Sequence, residues 1–212
     1  DQKLSAFGCT TAETLIGRAA ALRKSPTLKD TMEPPEKILF LSRITIGADV
    51  AVTSILMQRF AAAFPRAEIV VLGSAKLNGI FGGGQNIKIV ELNYPRHGRL
   101  IKRFAAWFSV LDAIEAEAAA AKGRILVVDP DSRLSQLGLL PVTSPDNYLF
   151  FNSRHTPAAS DQLSLSELAN EWANLVLPES GFSTPGAWID KGAAEAVSGL
   201  LNHVRQFSKQ LI

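Results

Sequence analysis

Hydrophobic and polar positions divide the chain into short apolar runs and longer stretches with helical spacing. Lys37-Ile38-Leu39-Phe40-Leu41 is apolar at four successive positions, the pattern of a strand buried on both faces of a parallel sheet. Glu68–Leu72 and Ile87–Leu92 repeat it, and Gly73 closes the former. Arg124–Val128 (RILVV) is the strongest such run and leads into Asp129-Pro130. Asn147–Phe151 predicts a fifth strand.

Between these runs the spacing predicts helices. One covers about 50–64 and is punctuated by Pro65; a short one over 75–82 precedes the turn Gly82-Gly83-Gly84. A long helix over about 98–121 has an alanine-rich tail stopped by Gly123, and two more are expected at about 164–176 and 188–210. Near the N-terminus, residues 11–24 predict a helix capped by Thr10 or Thr11, with Pro26 beyond its end.

Strand and helix patterns alternate from Lys37 to about Phe151. That order argues for βαβ units with right-handed crossovers, hence an α/β, Rossmann-like, mainly parallel sheet with helices on both faces. The expected organisation is a helical N-terminal appendage (1–33), set apart by Pro34-Pro35, a Rossmann-like lobe (36–178), and a C-terminal helix (187–212) linking to or belonging to another lobe. Ser180–Gly186 is the candidate linker. Repeats and long low-complexity tracts are absent.

Composition narrows the class. The 212 residues suit one domain with a helical addition, and 47% hydrophobic content supports a large core. A net charge of +2 is too small to argue for nucleic acid. Cys9 is the single cysteine, which excludes an internal disulfide framework and a cysteine-rich metal site and favours a reducing compartment. No apolar run reaches the roughly 18 residues of a membrane span. The opening Asp-Gln-Lys lacks a secretory pattern.

In an open α/β sheet, ligands bind beyond the carboxyl ends of the strands. The first such loop places Gly47 and Asp49 just ahead of an expected helix start, where free N–H groups favour anions. Asp49 reads either as an N-cap or as a carboxylate exposed to take a hydroxyl proton. GxGxxG is absent, so there is no dinucleotide fingerprint. After the fourth strand come Asp129, Asp131, Ser132, Arg133 and Gln136, which read as a sugar or phosphate site or as a Pro130 turn with a local ion pair. Arg96, His97 and Arg99, with Lys102 and Arg103, put positive charge at a helix start, against the dipole; an anion partner and a solvated basic face both account for it. Arg154 follows the fifth strand and could add a ligand-facing cation. His97, His155 and His203 show no metal-ligand spacing. Phe104, Trp107 and Phe108 sit at helical spacing and are expected in the core, as are Tyr148–Phe151.

The segment KILFLSRITIGADVAVTSILMQRFAAAFPRAEIVVLG resembles the opening of the bacterial ADP-heptose:lipopolysaccharide heptosyltransferases (glycosyltransferase family 9). Arg43, Asp49, Val50, Thr53, Phe64, Pro65, Ala67 and Ile69 follow that family's order, and the resemblance covers about residues 36–155. Thr45-Ile46 stands where the family has Ser-Ser, and Ala48 where it has Gly, with Gly47 one place earlier.

The resemblance implies the N-terminal, acceptor-binding lobe of a GT-B glycosyltransferase. Asp49 would be the catalytic base. Arg43, Thr45, Gly47 and Thr53 would belong to its loop, and Arg43, the 96–103 basic cluster and Arg133 would hold an anionic glycan or lipid-linked acceptor. A two-lobed enzyme needs roughly twice this length at ~150 residues per domain, so the nucleotide-sugar donor is expected on a second lobe. No cofactor or metal is required, because helix N-termini and basic side chains can neutralise a leaving diphosphate. The expected setting is cytoplasmic, at the inner membrane surface, with peripheral membrane contact left open and no nucleic-acid partner. Two other readings stand beside it: a non-catalytic glycan-, nucleotide- or partner-binding module in which Asp49 is only a cap, and a small flavodoxin-like nucleotide-binding enzyme.

Overall fold

The computed structural model describes residues 2–23, 33–95, 100–154, 163–177, 179–190, 192, 194, 195 and 198. Its centre is a five-stranded, wholly parallel sheet in the order β3-β2-β1-β4-β5, with β1 Lys37–Leu41, β2 Glu68–Gly73, β3 Ile87–Glu91, β4 Ile125–Asp129 and β5 Tyr148–Phe150. This is the Rossmann-like α/β architecture expected from the alternation of elements. The strands lie within a residue or two of the apolar runs: β1 and β4 are buried at every position, whereas β3, expected to be buried on both faces like them, lies at the sheet edge and has no fully buried position.

Alternate strand residues feed two cores. Ile38 and Phe40 face one layer with α4 (Ser54–Ala63) and α7 (Leu165–Val176), packing with Ile55, Phe60 and Trp172. Leu39 and Leu41 face the other, with Trp107, Val110 and Leu111 of α6 (Leu100–Ala120). Within α6, Trp107 is 2% exposed, whereas Phe108 is 41% exposed and Phe104 is half-buried. The expectation of Phe108 as core is therefore corrected: helical spacing turns it about 100° away from Trp107, onto the outer side.

The helix expected over 50–64 starts earlier. A turn of α3 (Ile46–Ala48) runs into a π-helical turn (Asp49–Thr53) and then α4. The short helical stretch over 75–82 resolves into a 3₁₀ turn (Ala75–Leu77) and α5 (Asn78–Phe81).

The N-terminal helix is α2 (Ala12–Leu22), capped by Thr11 in a capping box with Thr14. A five-residue helix, α1 (Gln2–Ala6), precedes it; it is too short to show a period, and forms where Leu4 and Phe7 pack against the α6-side core. The expected linker 180–186 is tied down along α4 and α7. Asn170 grips both backbone groups of Ser183 (2.8 and 2.9 Å), Gln58 donates to Thr184 O (2.8 Å), and Arg59 donates to the carbonyls of Glu179 (3.0 Å) and Gly181. Residues 188–190 are not helical, and most of the helix expected beyond them lies outside the described residues. No described helix is long and apolar enough to cross a membrane.

Candidate functional site

Strand order fixes where a ligand can sit. The chain winds outward from β1 to β2 and β3 in one direction, and from β4 to β5 in the other. The loops leaving β1 and β4 therefore diverge, and the gap between them is the topological switch point where such sheets bind ligands. A cavity of about 350 Å³ opens there, lined by Arg43, Ile44, Thr45 and Ala48 from the β1 loop, Asp131, Arg133 and Leu137 from the β4 loop, and Arg154 after β5. Its size lies at the lower end of the roughly 300–1,000 Å³ typical of small-molecule sites.

The chemistry of this lining is cationic around one carboxylate. Asp131 Oδ2 accepts a 2.5 Å hydrogen bond from the Ser153 hydroxyl. Arg154 Nε lies 3.4 Å from the same oxygen and Arg43 Nη2 3.8 Å from it. Arg43 Nη2 also donates to Ser153 Oγ (3.3 Å), while its Nη1 is buried with no hydrogen-bond partner among the described residues. Burial pulls the Arg43 guanidinium below its ordinary pKa, opposed by the nearby Asp131 and Asp49 carboxylates. Arginine nevertheless stays protonated. Three guanidiniums against one carboxylate give the cavity a positive balance, suited to phosphate or carboxylate groups.

Backbone strain gathers at the same place. Ile44 (φ 74°), Asp131 (62°), Gln136 (52°) and Leu137 (62°) all adopt the left-handed conformation; the other non-glycine case among the described residues is Asn86. For a β-branched residue such as Ile44 this is a true outlier. Such conformations cost about 1–3 kcal/mol each and persist only where surrounding contacts over-determine them. Those contacts are visible: Ser42 Oγ accepts the Ile44 N–H (2.9 Å), Leu137 N donates to Ser132 O (2.7 Å), and Ser132 Oγ donates to the Ser42 carbonyl, joining the two loops.

Asp49 stands behind this wall. The carboxyl end of β1 is where the sequence placed it, but it is 1% exposed and does not line the cavity. Oδ1 accepts the Arg43 N–H (2.7 Å) and the Thr53 hydroxyl (2.8 Å), and Oδ2 accepts the Ser42 hydroxyl (2.7 Å). Burial raises its pKa, with the Ser42, Arg43 and Thr53 hydrogen bonds opposing that shift. The expectation of an exposed carboxylate is thus corrected. Asp49 is not a simple N-cap either, since it lies within a continuous helical stretch and bonds backward to the loop.

The other expected site residues divide. Arg43, Thr45, Asp131, Arg133 and Arg154 come together at the cavity. Thr53 is buried on Asp49, and Gly47 is exposed in α3 and does not line the cavity. Gln136 donates to Arg133 O (2.8 Å) and shapes the loop. Asp129 is wholly buried: it accepts from Ser132 N (2.7 Å), the Tyr148 hydroxyl (2.5 Å) and Ser135 Oγ, and burial pushes its pKa up to about 6. Instead of contacting a ligand, it builds the β4 loop. Arg96, His97 and Arg99 lie outside the described residues. Sequence reading passed over Ser42, Ile44 and Ser153; serines and an isoleucine carry no signal for such roles until their partners are known. Among the described residues no group of His, Cys, Asp and Glu could hold a metal ion.

No protein-family model matches the chain, and no curated protein matches it. Among solved structures, it is similar to the crystal structure of the glycosyl transferase family 9 from Veillonella parvula DSM 2008, with 19% identity and a TM-score of 0.47 over 76% of this chain. The chain spans 47%, about half, of that neighbour's length.

Proposed function

We propose that this chain is the acceptor-binding lobe of a glycosyltransferase of the heptosyltransferase type, with an anionic glycan or lipid-linked acceptor held in the cavity between the β1 and β4 loops. The observation that carries the reading is the convergence of Arg43 and Arg154 on Asp131, with Arg133 lining the same cavity at the switch point. The sequence resemblance over the β1–β2 segment supports it independently. The donor, a nucleotide-sugar, would be bound by a second lobe across the cleft.

On this reading the guanidiniums hold the acceptor's phosphate or carboxylate and turn a sugar hydroxyl toward the donor. The resemblance makes Asp49 the base, but both its oxygens are engaged by Ser42, Arg43 N and Thr53. Because Asp49 is also 1% exposed, direct proton abstraction by it requires the β1 loop to open a path to the carboxylate when acceptor and donor close on the site. The same engagement favours a second reading, a non-catalytic module that binds anionic glycans in this cavity.

Calorimetric titration with a phosphorylated heptose or lipid-core fragment tests both. Binding is expected, weakened about tenfold or more, that is by at least ~1.4 kcal/mol, by Arg43→Ala and by Arg154→Ala. Absence of saturable binding, or affinity unchanged in Arg43→Ala, would overturn the proposal. With a donor-binding lobe present, transfer from ADP-heptose that is lost in Asp49→Asn with binding kept selects the transferase; acceptor binding without transfer in that two-lobed protein selects the module.

A further inference from the structure

Helix α2 reaches the back of this cavity. Arg23 Nη2 donates to the Leu137 carbonyl (3.2 Å) and Arg18 Nη1 to the Gly138 carbonyl (3.4 Å). Both carbonyls belong to the run Gln136-Leu137-Gly138, in which every residue is left-handed (φ 52°, 62° and 78°), and Leu137 lines the cavity. Arg18 also lies over the Tyr148 ring, its guanidinium carbon 5.4 Å from the ring centre. Tyr148 in turn donates to Asp129, whose Oδ1 accepts the Ser132 N–H at the start of the same loop.

The helix is well placed to act as a brace. Leu4, Phe7, Leu15 and Leu22 of the N-terminal region pack against the α6-side core, and Ala19 is 3% exposed. Arg18 is a poor choice if stability alone were at issue. Among the described residues its Nε and Nη2 are buried without a hydrogen-bond partner and no carboxylate pairs with it, and a half-buried guanidinium so placed is a net cost. What Arg18 gains instead is a grip on the one loop segment that its own φ angles would let relax.

We propose that α2 is a working part of the site: Arg18 and Arg23 are positioning residues that hold the 136–138 segment in its left-handed path and so fix one wall of the anion cavity. The proposal rests on the anion reading for its ligand, while the bracing itself does not need it. Docking of α2 and occupancy of the cavity then favour each other to the same degree, since coupling between binding events is reciprocal.

The test compares the wild-type chain with Arg18→Met/Arg23→Ala, which keeps the apolar stem of residue 18, and with Arg18→Lys, which keeps its charge. Neither residue lines the cavity. Amide hydrogen exchange is read at Leu137, Gly138 and Leu140, which are hydrogen-bonded within the loop, and at β1 and β2 as internal controls. The double variant is expected to speed loop exchange about tenfold, the equivalent of ~1.4 kcal/mol of local opening, with the strands unchanged, and Arg18→Lys to restore part of the protection. Inorganic phosphate is the binding probe, and its affinity is expected to fall with the loop protection. Loop exchange equal to wild type in the double variant overturns the positioning role. Absence of phosphate binding by the wild type overturns the anion reading, and the exchange data then decide the bracing alone.

Discussion

Replacing Asp49 with Asn separates a carboxylate that does chemistry from one that holds a loop. The side chain is 1% exposed and accepts three hydrogen bonds, two on Oδ1 and one on Oδ2. Asparagine keeps an oxygen for Arg43 N and Thr53 Oγ, but sets an NH₂ against Ser42 Oγ, so the Ser42 hydroxyl proton loses its carboxylate acceptor. One charge-assisted bond is lost, worth about 1.5–3 kcal/mol. Burying a neutral amide instead of a carboxylate gives some of this back, because desolvation is the leading cause of the raised Asp49 pKa. The net destabilisation is expected at about 1–2 kcal/mol, which for a domain of this size lowers Tm by about 2–8 °C. Asp49→Ala leaves the Ser42, Arg43 N–H and Thr53 donors without their acceptor and is expected to cost about 3 kcal/mol or more. Urea denaturation gives the stability, and hydrogen exchange at the Arg43 amide, whose acceptor is Asp49, reports the loop locally. If Asp49→Asn matches wild type within about 0.5 kcal/mol, the size of an ordinary surface change, the carboxylate does not hold the loop and the argument from burial fails.

Three further expectations follow from buried groups. Glu117 bonds Lys37 Nζ (2.7 Å) and Lys88 Nζ, and Lys37 and Glu117 side chains are 9% and 8% exposed; among the described residues Glu117→Ala leaves Lys37 with Glu68 at 3.4 Å and should cost about 3 kcal/mol in urea denaturation. Asp129 has its pKa raised from 3.8 to about 6, so the folded chain keeps a proton that the unfolded chain has released. Its contribution to stability therefore falls as pH rises from about 4 to about 6 and is level above, by up to about 3 kcal/mol; Asp129→Asn should flatten that slope in denaturation curves taken across pH 4–7, and an equal slope in both proteins would refute the assignment. A Cβ on Gly73 would sit 2.6 Å from both Ser42 Cβ and Leu77 Cδ1, so Gly73→Ala should destabilise by about 1–3 kcal/mol and loosen the Arg43 amide through Ser42.

The order of elements, the parallel sheet and its five strands were legible in the sequence because they depend on local pattern. A strand covered on both faces must be apolar at nearly every position, and runs such as Ile38–Leu41 and Ile125–Val128 meet few other folds. The rule that ligands sit beyond strand ends then pointed to the stretches containing Arg43, Asp131, Arg133 and Arg154. What tertiary structure decided is which way each side chain faces. Asp49 and Asp131 are both aspartates just past a strand, yet Asp49 is enclosed by Ser42, Arg43 N and Thr53, while Asp131 meets Ser153, Arg43 and Arg154 at the cavity. The left-handed turn at Ile44 opposes its own propensity; its N–H is taken by Ser42 Oγ two residues back, and Ser42 is in turn anchored by Ser132 of the β4 loop. The N-terminal helix shows its periodicity, but nothing in that periodicity tells that Arg18 and Arg23 will close on the far side of a loop more than a hundred residues away. Period and propensity act between near neighbours in sequence; burial and hydrogen bonding are settled among groups that only the completed fold brings together.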